Sequence, residues 1–396
     1  MQVRSLTLGV PTELASKSDL ENYFSELSLL RDSFKSQGIT VQSIRGSFEP
    51  IRGDGEKIFK TWERQVNQIT ETMASSGALF SAPFWTTNSA FVGEIARIQN
   101  GNSLLFNNIP VSGLDGEIYS KSIHFAAEII SGLSLDDPFA NLRFCASAGV
   151  PPNTPFFPAS YEEPGQQRPQ LSISLESADD MVALAQAKSE SLLASVQEST
   201  DLSDFSKEVK NCCEEMGHKI TDCLEESQLD RWADFRGIDL SPAPYPASPR
   251  SIANALEIAS GLEFGDPNMI GTIAAITEGI HAANVPTCGF NGVMLPVLED
   301  NVIAQRTSEH KVNLGTLLLY STVCGTGLDT VPLPGDISVA ELKKIIYSVA
   351  VLSARLHKPL TARLMPIPGK QAGDITEFSF EYFANSAILE FSRKPV

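Results

Sequence analysis

The second half of the chain carries charged residues in loops that proline stiffens and glycine opens to close approach. Four stretches stand out: DLSPAPYPASP (Asp239–Pro249), TCGFNGVMLPVLED (Thr287–Asp300), CGTGLDTVPLPGD (Cys324–Asp336) and RLMPIPGKQAGD (Arg363–Asp374). Four prolines in the eleven residues of the first forbid regular structure and hold an extended path. On such loops Arg363 and Lys370 suit a carboxylate or a phosphate. Asp329 or Asp336 would act as general acid or base, provided burial raises the carboxyl pKa toward neutrality. Cys288 or Cys324 would act as nucleophile where a nearby cation lowers the thiol pKa. Asp239, Ser241, Gly325, Gly327 and Asp374 complete the expected substrate-binding set, at strand ends where α/β proteins hold ligands. A divalent metal is a further option, since Asp239, Glu299, Asp329 and Asp336 offer the oxygen ligands that Mg²⁺ or Mn²⁺ take. The competing reading makes these loops tight turns whose aspartates cap helices; Asp336, ahead of Ser338 and Val339, suits a helix entry. Four such loops in one half of a chain favour one shared site.

Standard motifs do not account for them. Gly325-Thr326-Gly327 has Thr330 where a dinucleotide fingerprint needs its third glycine, and Gly369-Lys370 has Leu364 where a Walker loop needs its first. Neither HExxH nor GxSxG occurs. The five histidines lack metal-ligand spacing, and His281 reads as a packed residue on an apolar helix. Cys212, Cys213, His218 and Cys223 lie in CCEEMGHKITDC, read as helix. A straight helix separates its ends by ~16 Å of rise, so these groups cannot converge on one zinc ion. Six cysteines in a chain of 396 residues form no disulfide framework, and reduced thiols are expected.

These loops must be positioned by the elements around them. Ten strands are expected: Val3–Val10, Ile39–Arg45, Ala78–Phe84, Ser103–Asn107, Asn141–Ala148, Gln170–Leu175, Phe235–Leu240, Val293–Val297, Thr326–Leu333 and Leu360–Ile367. Amphipathic helices alternate with them; Ser18–Gln37, for one, has Leu20, Phe24, Leu27, Leu30 and Phe34 at helical spacing, a capping box from Ser18 to Glu21, and a stop at Gly38. Such alternation predicts an α/β architecture with a largely parallel sheet, as one large domain over 1–396 or two interlocked halves. A long acidic helical segment, 178–226, is expected within it, broken near Thr200–Ser203.

The net charge of −18, from 30 Lys plus Arg against 48 Asp plus Glu, argues against nucleic acid or an anionic membrane as partner. Glu13 interrupts the N-terminal apolar stretch that a signal peptide would need, and no run of roughly 18 apolar residues appears, so a cytoplasmic protein is expected. The residues do not fix the assembly; a symmetric homodimer is the common form for such chains.

Several stretches resemble one family, the uncharacterised DUF711 proteins, also called UPF0210. They are RFCASAGVPPNTPFFPASY, ISLESAD, IDLSPAPYP, GFNGVMLPVLED, CGTGLDTVPLPGD and RLMPIPGKQAGDITEF, which together span most of the chain. The family is similar in fold to the glycyl-radical enzymes typified by pyruvate formate-lyase. That resemblance implies a ten-stranded α/β barrel with a finger hairpin threaded into its lumen, TCGFNGVMLP as the finger, and Cys288 near its tip. The radical-bearing glycine is missing: the last glycine is Gly373, and ANSAILEFSRKPV contains none. The expected function is therefore a non-radical lyase, isomerase or hydrolase, using acid–base or thiol chemistry on a small anionic metabolite in the lumen. The alternatives are a divalent-metal-dependent enzyme and a non-catalytic small-molecule-binding regulator. In the latter, the acidic segment 178–226 would be either a docking surface or a solvated packing helix.

Overall fold

The computed structural model describes residues 1–74, 76–187 and 202–391. Nine strands form the main sheet: β1 (Gln2–Val10), β2 (Thr40–Phe48), β4 (Leu79–Ser81), β6 (Leu105–Ser112), β7 (Phe144–Ala148), β8 (Gln170–Glu176), β9 (Asp234–Asp239), β10 (Gly327–Pro334) and β11 (Leu360–Ile367). A small parallel pair, β3 (Ile51–Arg52) and β5 (Phe84–Trp85), extends β2 and β4. The helices are α1 (Lys17–Ser36), α2 (Glu56–Met73), α3 (Val92–Asn100), α4 (Ser120–Asp136), α5 (178–187), α6 (Ser203–Glu226), α7 (Ile252–Ser260), α8 (Ile270–Ala282), α9 (Asn301–Ser308), α10 (Leu314–Tyr320) and α11 (Val339–Leu356). The expected α/β architecture is present, and none of these helices is long and apolar enough to cross a membrane.

Strand order is β10-β11-β7-β6-β4-β2-β1-β8-β9. The middle five run parallel, and the sheet reverses direction twice, between β7 and β11 and between β1 and β8. Val293–Val297, read as a tenth strand, is not one. The flanking Gly292 and the internal Pro296 leave a chain that touches the sheet only at points. This segment meets both edges: Thr287 bridges Ile238 of β9, and Pro296 bridges Asp329 of β10.

Helix termini follow local chemistry. α1 is capped by Ser16, which accepts from the Asp19 amide at 3.3 Å, two residues earlier than the expected Ser18. α11 begins with a reciprocal Ser338–Glu341 capping box, so Asp336 is not the cap and lies exposed in the turn before it. In the acidic segment, α6 buries Phe205, Val209, Cys213, Met216, Ile220 and Cys223 and packs on α8. Gly279 permits the close crossing, since a Cβ there would stand 2.5 Å from the Ser206 carbonyl oxygen. The packing-helix reading thus fits α6; of the break expected near Thr200–Ser203, Leu202 and Ser203 stand at the start of α6 and the rest lies outside the described residues.

Residues 150–162 cross the sheet and are fastened to three of its strands. Ser81 Oγ on β4 donates to Ser160 O at 2.6 Å, Asn108 Nδ2 on β6 donates to Pro158 O at 3.0 Å, and Ser172 Oγ on β8 donates to Asn153 O at 2.7 Å. At the end of this crossing Glu162 is fully buried against Gly9, and neither carboxyl oxygen has a partner. Burial pushes its pKa up to about 9, against the pull of Arg236. The folded state therefore holds a proton that the unfolded chain releases near its ordinary 4.5. The stabilisation is complete below the ordinary value and is lost as pH rises toward the folded one. Glu162→Gln is expected to flatten the pH dependence of the urea midpoint between about pH 5 and 9; an unchanged slope in the variant would refute this assignment.

Candidate functional site

Alternating charges form a ladder across the interior. Arg363 Nε donates to Asp329 Oδ1 at 2.5 Å, and its Nη2 donates to Glu299 Oε1 at 2.7 Å. Glu299 Oε2 accepts from Arg4 Nη2 at 3.0 Å, and Arg4 Nη1 reaches Glu176 Oε2 at 2.9 Å. Arg250 closes the series on Glu176 Oε1. Three guanidiniums thus face three carboxylates, and the ladder balances its own charge.

Two of its members sit where the strand pairing is irregular. Register shifts between Val3 and Ser5, so Arg4 is the extra residue against β8. Between Leu328 and Val331 the register shifts again, so Asp329 and Thr330 together oppose Arg363. Thr330 takes φ 42°, a left-handed conformation that a β-branched residue adopts only under constraint. Bulges of this kind re-aim a side chain and are common beside active sites. Burial raises the Asp329 pKa, Arg363 opposes the rise, and the Glu299 charge adds to it.

The ladder borders a cavity of about 330 Å³. Arg4, Arg45, Asp239, Ser241, Glu299, Asp329 and Arg363 line it, with Phe106, Phe156, Phe157, Met294, Phe380 and Tyr382 as apolar walls. Arg45, from β2, differs from the other two arginines. Its Nε donates to Ser43 Oγ at 3.0 Å and its guanidinium stands 5.0 Å from the Phe157 ring centroid, yet among the described residues it joins no ion pair. It is half-buried, and desolvation, reinforced by Arg4 and opposed by the Glu299 charge, pushes its pKa down. Among the described residues its guanidinium pairs directly with no carboxylate, since Glu299 is taken by Arg4 and Arg363.

Asp239 has a different task. Its carboxylate accepts from Ser241 Oγ at 2.6 Å, from the amides of Ser241 and Asn291 at 3.1 Å each, and from the Phe290 amide at 2.9 Å. It pins the 288–292 turn, where Gly289 (φ 82°) comes so close that a Cβ would meet Asp239 Oδ2 at 2.3 Å. The other predicted glycines also serve backbone approach: a Cβ at Gly325 would stand 2.7 Å from the Gly292 carbonyl carbon, and one at Gly327 2.8 Å from Thr361 O.

Of the expected site residues, the structure brings Asp239, Ser241, Glu299, Asp329 and Arg363 together at the cavity. Lys370 does not join them; its Nζ pairs with Glu377 at 3.0 Å beyond the end of β11. Asp336 and Asp374 are exposed in turns, and Asp374 Oδ2 accepts from the Gln371 amide. Gly325 and Gly327 lie in the backbone behind the cavity, as does the buried Cys324, whose Sγ accepts from the Gly327 amide at 3.4 Å. Cys288 is outside the lining, and burial, with Asp239 adding to it, pushes its thiol up to about 12, opposite to what a nucleophile needs. The proposed metal donors do not fit an ion either: Asp239 is held by amides, Asp336 is remote, and Glu299 and Asp329 share Arg363. Among the described residues no group of three or more His, Cys, Asp or Glu is placed to hold a metal. Arg4, Arg45, Glu176 and Arg250 were not anticipated; a lone arginine inside VRSLTLGV and SIRGSF was the available signal.

Removing one member of a buried ion series leaves its partners uncompensated. Arg363→Met strands Asp329 and Glu299 and is expected to lower stability by about 3–5 kcal/mol. Urea denaturation measures it, and adding Asp329→Asn in the same chain should recover part of the loss, because one stranded charge is then removed.

Comparison with known proteins matches this sequence to a family. Residues 1–381 match the family model described as uncharacterised ACR (DUF711). A UPF0210 protein of Pyrobaculum aerophilum is 29% identical over 308 residues, 77% of this chain and 66% of that protein. The chain therefore spans just under two thirds of that relative's length. A UPF0210 protein of Methanosarcina barkeri is 24% identical over 428 aligned positions, covering 99% of this chain and 91% of the relative. One from Lacticaseibacillus paracasei is 32% identical over 148 residues, 36% of this chain. With a family model matched over almost its full length, the chain belongs to the DUF711 (UPF0210) family.

Proposed function

We propose that this protein is an enzyme acting on a small metabolite that carries a carboxylate or phosphate, held in the arginine-lined cavity without radical chemistry. The observation that carries the reading is Arg45: a half-buried guanidinium that lines the cavity and, among the described residues, joins no ion pair, beside a ladder that is already neutral. An anion supplies the partner that Arg45 lacks, and the aromatic walls exclude water and strengthen the contact. Asp329 is the group suited to move a proton. It lines the cavity, burial raises its pKa, and the strained bulge at Thr330 fixes its direction. The class of reaction that follows is proton transfer within a lyase, isomerase or hydrolase cycle. Thiol catalysis is not supported, given the raised pKa of Cys288. The curled sheet, with 286–297 lying between its edges, supports the likeness to the glycyl-radical fold, with that segment in the place of the finger.

Arg45→Met tests this. Small carboxylates and phosphate esters recovered by metabolite pull-down should bind the wild type, and the variant should bind them at least ~10-fold more weakly, about 1.4 kcal/mol. The same variant should be as stable as the wild type or more so without ligand, because a half-buried charge that has no paired carboxylate is removed. Asp329→Asn should keep binding and lose turnover. Equal affinity in Arg45→Met sinks the proposal, and binding without turnover in the wild type would make the protein a sensor.

A further inference from the structure

A second cavity, of about 420 Å³, opens at the other end of the central strands. The first cavity takes Phe106 from the start of β6, whereas this one takes Ile109, Pro110 and Ser112 from its end. It also takes Arg52 of β3, Trp85 of β5, and Ser147 and Val150 from the end of β7 and just beyond. Ligands of open parallel sheets bind outside the carboxyl ends of strands, and this is such a place. Residues 150–162 lie between the two: Phe156 and Phe157 wall the first cavity, while Val150 and Tyr161 wall the second.

We infer that this second cavity is a binding site for a small planar carboxylate with an aromatic or apolar body. Arg52 supplies the charge. Its guanidinium rests 4.4 Å from the Trp85 ring centroid, and among the described residues it forms no ion pair. Stacking on an aromatic face fixes the plane of a guanidinium while leaving its edge N–H groups for bidentate pairing. Asp54, the one carboxylate in the lining, does not compete for it. Its Oδ1 accepts from Thr86 Oγ1 at 2.7 Å and from the Thr87 amide at 2.8 Å.

Ser112 adds an independent indication. It is 3% exposed, lines this cavity, and its hydroxyl has no hydrogen-bond partner among the described residues. Buried hydroxyls are normally partnered, so an orphan in a cavity wall is a group awaiting a ligand or a water. Trp85, Tyr119 and Tyr161 give the apolar body its surface. Trp85 and Tyr161 meet edge to face at 4.9 Å, and Tyr161 donates its hydroxyl to Val150 O at 3.0 Å, which fixes the pair. The volume lies in the range of small-molecule sites. A phosphate ester would also satisfy Arg52, but the flat aromatic walls favour a flat acid.

Trp85 makes the site readable by fluorescence. The full chain is titrated with benzoate, phenylacetate and indole-3-acetate, each to about 10 mM, a ceiling that detects millimolar affinity. Inorganic phosphate forms the comparison arm. A saturable change in tryptophan emission is expected with at least one carboxylate and not with phosphate. Trp85→Phe should abolish the signal, Arg52→Gln should weaken binding at least ~10-fold, and Arg45→Met should leave it unchanged. Ser112→Ala, which cannot unfold the chain by stranding a charge, should weaken binding less than Arg52→Gln. Absence of any saturable signal overturns the inference, as does wild-type affinity in Arg52→Gln. Loss of the signal in Arg45→Met would place the ligand in the first cavity instead and likewise overturn it. None of these outcomes depends on turnover.

Discussion

Charge balance inside the molecule is the constraint on which the rest depends. Asp329, Arg363, Glu299, Arg4, Glu176 and Arg250 come from β10, β11, the turn before α9, β1, β8 and the turn before α7. No two neighbours in the series are close in sequence except through folding, so the ladder forms only when the curled sheet brings these segments together. A buried ion series is not an efficient way to gain stability, since apolar replacements of equal volume often do as well. Its value here is positional. It neutralises Arg4 and Arg363 within their own network and leaves Arg45 as the cavity arginine that, among the described residues, joins no ion pair.

Departures from regular structure coincide with members of the charge ladder. The sheet breaks register at Arg4 and again at Asp329, and Thr330 is held in a conformation its side chain disfavours. Elsewhere polar side chains inside the curl are spent on backbone: Ser81, Asn108 and Ser172 fasten residues 150–162, and Asp239 fastens 288–292. The interior is thus divided between polar groups that fasten backbone and charged groups that pair with one another.

Much of the fold was legible. Apolar spacing marked α1, and alternation marked nine of the ten strands, because burial of one face imposes those periods. The tenth, Val293–Val297, misled because a short apolar run between turns reads as a strand, while Pro296 and Gly292 deny it a ladder. Asp329 and Arg363 were each legible as candidate site residues from their Gly/Pro loops, but that adjacent parallel strands pair them emerged only from the fold. Lys370, Asp336 and Asp374 share their loops but fall past the strand ends, where side chains turn to solvent. The state of Cys288 depends on burial that no spacing encodes. Arg4 and Arg45 went unread because a single arginine in a strand is as often a surface residue as an inward one.

The segment from 286 to 297 touches both outermost strands, β9 through Thr287 and β10 through Pro296. An open sheet normally exposes two rows of unpaired amides and carbonyls, which recruit foreign strands and seed aggregation. Here one stretch of the same polypeptide occupies a position on each margin, bonding to Ile238 on one and to Asp329 on the other. Its prolines and glycines are poor partners for an added strand, so at those two positions it obstructs a foreign strand rather than recruiting one.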